Sequence, residues 1–256
     1  MTLSPQPGAD GAGVIWVGHA TVLLEAGGRR LLTDPVLGVR VGLLRRLAPP
    51  VPPALVEDID AVLLSHAHGD HLDLRSLRRI GTSVPVIAPP AAARLLRRRG
   101  FRLTQEVVPG STVTPAGVTV EVTRATHDGR RWPRGDPEEA VGYLVHGDPA
   151  VYFAGDTDLF PEMSLLAGRV DVALLPVSGW GPSLGPGHLD PERAAQAAAT
   201  IRPRVAIPIH WGTLARPGRR PASDAITRPA REFAEAMGRL APDVEVRVLS
   251  PGESWN

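Results

Sequence analysis

Short apolar runs, each broken by Gly, Pro or Asp, set the rhythm of this chain. Val14–Val17 and Thr21–Glu25 read as strands, Gly27-Gly28 marks a two-residue turn, and Arg30–Thr33 completes a hairpin. Residues 36–54 mix Leu, Val and Arg with several prolines and read as a long loop or a short broken helix. Ile59–Leu64 has the continuous apolar character of a buried strand. Leu72–Ile80 then shows helical spacing with arginines between, Val84–Ala88 is strand-like, and Ala91–Arg99 reads as a helix stopped by Gly100. Alternation returns at Val118, Val120 and Val122, within the stretch Glu106–Arg124, and ends near His127.

A Gly/Pro/Arg-rich loop at 128–137 separates this half from the next. Val141–Val145, Val151–Ala154 and Val172–Val177 read as strands, with a helix over Pro161–Ala167 and a Gly/Pro-rich loop at 178–187. Asp190 is a good N-cap with Pro191 at the first helical position, opening an Ala-rich helix to about Ile201. Val205–Ile209 (strand), Asp224–Leu240 (helix) and Val244–Leu249 (strand) close the chain. Strands followed by alternating strand and helix, twice over, predict an α/β architecture: two sheets with helices on their outer faces, in one domain over 14–256 after a flexible segment 1–13.

Composition narrows the chemistry. The formal net charge is +1, which argues against nucleic acid as a partner. All 28 basic residues are arginine, so Schiff-base chemistry and a lysine base are excluded. There is no cysteine, which excludes disulfides, thiol nucleophiles and Cys-ligated zinc. The start lacks a basic-then-apolar signal pattern, and no apolar run reaches membrane-spanning length, so a soluble, cytoplasmic protein is expected.

The candidate chemistry is concentrated in Ser65-His66-Ala67-His68-Gly69-Asp70-His71. Imidazole nitrogen and carboxylate oxygen suit zinc, and also manganese or iron. Alternation in an extended segment places His66 and His68 on one side, and Gly69 lets the chain turn so that Asp70 and His71 reach a second ion. Three more residues of this kind, His127, Asp156 and His210, each follow a strand, so all can converge on one edge of the layers.

Over essentially its whole length the sequence resembles the metallo-β-lactamase superfamily. The matching segments are Thr33-Asp34-Pro35, the Ser65–His71 run, His127, Phe153-Ala154-Gly155-Asp156-Thr157 and Ile209-His210-Trp211-Gly212-Thr213. The resemblance implies a four-layer αββα sandwich with one or two zinc ions, two being expected here, at the edge of the inner sheets. Carried over by position, His66, His68 and His127 would hold the first metal, Asp70, His71 and His210 the second, and Asp156 would bridge them. Asp34 would orient ligands from behind. The implied reaction is hydrolysis by a metal-activated water, with Asp70 orienting it or taking its proton.

Within the superfamily, Trp16-Val17-Gly18-His19-Ala20-Thr21, His188-Leu189-Asp190-Pro191-Glu192 and the segment around His210 resemble the group of N-acyl-phosphatidylethanolamine phospholipase D and ascorbate-6-phosphate lactonases. That implies a small-molecule or lipid-like phosphodiester, ester or lactone substrate. His188 then becomes a candidate substrate contact or leaving-group acid, or a turn residue at the start of its helix. His19 is expected behind the ligands, and Arg130 and Arg131 are candidates for binding substrate phosphate or carboxylate. A homo-oligomer is compatible with this reading. Two other classes are a non-catalytic metal-binding module of the same fold, which full metal occupancy without turnover would indicate, and a nuclease, which needs a basic track the sequence lacks.

Overall fold

The computed structural model describes residues 13–131, 138–179, 184–216, 218 and 222–256; segment 1–12 and parts of the two Gly/Pro-rich loops, 132–137 and 180–183, lie outside the described residues. In chain order the elements are β1 (Val14–Gly18), β2 (Thr21–Ala26), β3 (Arg29–Thr33), β4 (Arg40–Val41), β5 (Leu44–Arg46), β6 (Ala61–Leu63), α1 (Leu74–Ile80), β7 (Val86–Ala88), α2 (Pro90–Arg98), β8 (Thr104–Glu106), β9 (Thr112–Val113) and β10 (Val120–Asp128). They continue as β11 (Glu139–Val145), β12 (Val151–Phe153), β13 (Val172–Pro176), α3 (Pro191–Ile201), β14 (Val205–Ile209), β15 (Leu214–Ala215), α4 (Ser223–Leu240), β16 (Glu245–Val246) and β17 (Ser254–Trp255).

Two seven-stranded sheets face each other, one ordered β17-β1-β2-β3-β6-β7-β8 and the other β16-β14-β13-β12-β11-β10-β9. Strand periodicity explains the layering. On the first sheet Leu23, Leu32, Val62 and Leu64 point outward and pack with Leu77 of α1 and Ala92 and Leu96 of α2. Their neighbours Val22, Leu24, Leu31 and Leu63 point inward to a second core shared with Val122, Tyr143 and Phe153. The Ala-rich face of α3 (Ala194, Ala195, Ala198) and Phe233 and Met237 of α4 join that same core. The result is the expected αββα sandwich.

The β2–β3 hairpin turns at Gly27 and Gly28, both at positive φ (56° and 70°), as a tight turn matched to strand twist requires. The Asp190 side chain accepts from Arg193 N at 2.8 Å, capping α3 where the sequence predicts.

Three expectations change. Residues 36–54 hold not a helix but the β4–β5 hairpin, which forms a small sheet with β15 and is followed by a 3-10 turn at Pro53–Leu55. Two- and three-residue strands are too short to display a period, and the third strand lies far away in sequence. The segment Pro161–Leu166 is a 3-10 helix, and Val244–Leu249 contributes only the edge pair Glu245–Val246, with Val248 left exposed.

Candidate metal centre

Every predicted ligand is delivered by the end of a strand. β6 leads into Ser65–His71, β10 carries His127, β12 is followed by Gly155-Asp156, and β14 runs directly into His210. Tight backbone geometry makes this convergence possible. Gly155 has φ of 61°, and a Cβ there would sit 2.7 Å from Ser65 Cβ, so only glycine lets Asp156 approach the ligand loop. His19, Asp34 and His210 also adopt left-handed backbone (φ 56°, 32° and 64°), a conformation non-glycine residues take at a cost and one that clusters at functional sites.

Two ligand groups result. In the first, His66 Nε2 lies 2.9 Å and His127 Nε2 3.2 Å from His68 Nδ1. In the second, His71 Nε2 and His210 Nε2 are 3.1 Å apart, and each lies 3.2 Å from an Asp156 oxygen. Asp70 Oδ2 is 3.8 Å from His71 Nε2 and 3.9 Å from His210 Nε2, and 3.0 Å from His19 Nε2. Donor atoms around tetrahedral zinc at 2.0–2.1 Å are separated by about 3.3 Å, so this spacing fits the ion.

Hydrogen bonding behind the rings fixes which nitrogen faces inward. His210 Nδ1 donates to Ser178 O at 2.6 Å and His127 Nδ1 to Gly187 O at 2.9 Å. His71 Nδ1 donates to Asp34 Oδ2 at 2.7 Å. Ser65 Oγ donates to Asp34 Oδ2 at 2.5 Å, so it accepts from His66 Nδ1 at 2.9 Å. Nε2 of His66, His127 and His210 therefore presents a lone pair to the centre. Asp156 Oδ1, buried and without a hydrogen-bond partner among the described residues, faces the lone pair of His210. Acceptors held this close repel one another unless a cation sits between them, so the donor set fits a metal.

Electrostatics separate the groups. Burial, then the neighbouring His71, drives His66 well below the ordinary imidazole range, and burial and His71 lower His68 likewise. Burial takes His127 down to about 4 and His210 to about 3. For His71 burial also disfavours charge, but Asp156, Asp34 and Asp70 outweigh it and hold the ring well above the usual range. Burial raises Asp156 and Asp70, yet His210 and His71 around the first, and His71 and His19 around the second, keep both carboxyls well below the usual range.

The remaining predicted residues fall in different places. Asp34 is fully buried and accepts from Ser65 N at 2.8 Å as well as from Ser65 Oγ and His71. His19 backs Asp70, and its carbonyl accepts from His210 N at 2.9 Å. His188 lies at the rim, with Nε2 3.5 Å from Asp156 Oδ2 and its ring 4.6 Å from that of His127. Arg130 and Arg131, the candidates for substrate contact, both have partners within the protein. Arg130 is exposed and pairs with its loop neighbour Asp128 at 3.0 Å. Arg131 Nη1 donates to Ala67 O and Leu72 O, both at 3.0 Å, and so ties down the ligand loop.

Sequence reasoning missed Ser65, which links His66 to Asp34, and the stacked pair Trp16–Trp211 (centroids 4.9 Å apart) beneath His19 and His210. A hydroxyl beside the first histidine was the available signal. The carbonyls of Ser178 and Gly187 left none, because a backbone acceptor has no side-chain identity.

The family described as beta-lactamase superfamily domain matches residues 29–211. A UPF0173 metal-dependent hydrolase of Methanopyrus kandleri is 33% identical over 94% of this chain and 98% of its own length. A second, from Nitratidesulfovibrio vulgaris, is 33% identical over 94% and 93%. Among solved structures, the metallo hydrolase Igni18 of Ignicoccus hospitalis shares 25% identity, with a TM-score of 0.69 over 95% of this chain and 97% of that one. The chain belongs to the metallo-β-lactamase superfamily and, within it, to the family of UPF0173 metal-dependent hydrolases.

Proposed function

We propose that this chain is a metal-dependent hydrolase whose centre takes two zinc ions and cleaves a phosphodiester, ester or lactone bond in a small or lipid-like molecule. The reading is carried by the inward lone pairs of His66, His127 and His210 together with Asp156 Oδ1, which has no hydrogen-bond partner among the described residues. It is supported by the names of the relatives, and the phosphodiester or lactone chemistry rests on the motif resemblance around His19, His188 and His210.

His66, His68 and His127 would hold one ion, Asp70, His71 and His210 the other, and Asp156 would serve both. Ions bound there supply a water acidified towards neutrality and polarise the scissile carbonyl or phosphoryl oxygen. Asp70 is ionised and oriented by His19 Nε2 at 3.0 Å, so it can accept a proton from the nucleophile. His188 is raised above the ordinary imidazole range: burial opposes its charge, and the interaction with Asp156 overcomes that. Its Nδ1 donates to Gly185 O at 3.1 Å, leaving Nε2–H to protonate a leaving group at the rim.

The test couples metal analysis to a panel of bis(p-nitrophenyl) phosphate, lactones and phosphorylated sugars. Roughly one to two ions per chain and turnover abolished by a chelator and restored by zinc are expected. Metal-free protein from a metal-replete preparation, or chelator-resistant turnover, overturns the reading. Full occupancy without turnover of any panel member turns it into a binding module.

A further inference from the structure

Away from the ligand clusters, the β4–β5 hairpin and helix α1 flank an open cavity of about 520 Å3 whose lining includes the exposed Arg40, Arg45, Arg75 and Arg79. Local rules disfavour this arrangement twice. Arg40 and Arg45 are directly paired across the hairpin, so like charges face each other on one side of a two-stranded ribbon. Arg75 and Arg79 stand four residues apart on α1, where like charges repel across a helical turn. Other arginines of this chain are paired: Arg29, Arg97, Arg169 and Arg193 each lie against a carboxylate. Among the described residues, no ion pair joins any of the four cavity arginines to a carboxylate.

Among the described residues, the one acid in the lining, Asp73, is already engaged. Its side chain accepts from Ser76 N at 3.0 Å and from Ser76 Oγ at 2.5 Å as the cap of α1. Four guanidinium groups against one carboxylate leave an excess of positive charge in a concave space. Hydrophobic alternation sets the hairpin arginines on this side, because Val41 and Leu44 turn the other way to pack with Val36 and Leu214. Two unfavourable like-charge pairs lining one cavity mark a local conflict that bound negative charge would relieve.

We propose that this cavity is an anion site, distinct from the metal centre, for a soluble phosphorylated small molecule carrying at least two negative charges. Guanidinium forks match phosphate oxygens in pairs, and a monocarboxylate would neutralise only one of the four arginines. The walls adjoin the metal centre in sequence: Leu37 follows Asp34 by three residues and Asp73 follows His71 by two, and Leu37 N donates to Ser76 Oγ at 2.8 Å across the gap between them. A ligand here would therefore brace the hairpin against the helix that follows the ligand loop.

The test is calorimetric titration of metal-loaded protein with fructose 1,6-bisphosphate at low ionic strength, with fructose as the neutral control. Saturable, salt-sensitive binding of the bisphosphate alone is expected. In the double variants Arg40→Gln/Arg45→Gln and Arg75→Gln/Arg79→Gln, affinity should fall by about tenfold or more, since each removes charge-assisted hydrogen bonds. Their metal content should match wild type, and their ligand-free Tm should not drop, because repulsion is relieved. Binding that is absent, or unchanged in both variants and hence located at the metal centre, overturns the proposal. So does capture of the protein by phosphatidate-containing vesicles without binding of the soluble probe.

Discussion

The two groups of the candidate metal centre are built from similar side chains and differ electrostatically at one ring, His71, which is raised while His210 beside it is lowered. The His66, His68 and His127 group is all imidazole, and burial with mutual repulsion keeps every ring below its ordinary protonation range. The group around His71 and His210 gathers Asp34, Asp70 and Asp156, whose negative charge keeps a proton on His71 although the ring is fully buried. The first group therefore favours uncharged rings, whereas in the second the acids favour a charged His71, and a cation bound there competes with that proton. A histidine cluster thus does not imply one protonation state. The acids around each ring decide: Asp156, Asp34 and Asp70 surround His71 and outweigh its burial, whereas burial dominates at His66, His68 and His127.

Removing the group shared by both halves is the most damaging way to break this contrast. Asp156 contacts His71, His210 and His188 and lies near His127. Asp156→Asn is expected to lose an equivalent of bound metal and to reduce turnover by about a thousandfold, read by elemental analysis and kcat on the same preparation. If metal content and rate both survive, the two groups do not act as one centre.

A smaller and asymmetric loss is expected at Asp34. Its Oδ2 serves His71 directly and His66 only through Ser65. Asp34→Asn should weaken the second metal by about ten- to a hundredfold and the first by clearly less, as measured by competitive chelator titration. Equal weakening of both would show that Asp34 supports the loop as a whole and not one ring within it.

Protons give the next sharpening. His71 has a folded value raised above that of the unfolded chain, so its proton stabilises the metal-free fold below about pH 6.5 and that contribution disappears as pH rises through the raised value. Metal uptake by the second half should accordingly strengthen with pH and release close to one proton near neutrality, while the first half releases almost none. Calorimetry in buffers of different ionisation enthalpy counts these protons, and equal counts for both binding events would erase the distinction. His127 at about 4 and His210 at about 3 act with the opposite sign. The unfolded chain takes up protons there first as pH falls below about 6.5, so the Tm of metal-free protein should drop between pH 7 and pH 5.

These asymmetries were only partly legible in the sequence. The layered fold was legible because its strands alternate and its helices announce their caps, as Asp190-Pro191 does for α3. The residues that converge as candidate ligands were legible because side-chain identity and spacing carry them. The supports were not, since Ser178 O and Gly187 O are backbone atoms brought in by loops, and only three-dimensional proximity assigns them to a ring. The β4–β5 hairpin escaped for a related reason: its strands are too short for a period, and its partner β15 lies far along the chain. The left-handed conformations of His19, Asp34 and His210 run against residue preference, as expected where function overrides local rules.

Arg131 supplies the subtlest comparison, between an arginine that holds substrate and one that holds the protein. Its position after His127 and its charge suggest the first role, but Nη1 donates to Ala67 O and Leu72 O, which flank His68, Asp70 and His71 on the ligand loop. Burial lowers its affinity for a proton, as for a guanidinium packed into the protein, not one extended to solvent. Arg131→Ala should therefore cost about 1–3 kcal/mol of stability through two unsatisfied carbonyls, visible as a lower Tm and as faster metal loss from both halves. KM for any substrate found in the panel should change little once metal is saturating. A rise in KM with unchanged Tm would return Arg131 to the substrate. The paired outcome matters because Arg130, exposed and tied among the described residues only to Asp128, should show neither effect.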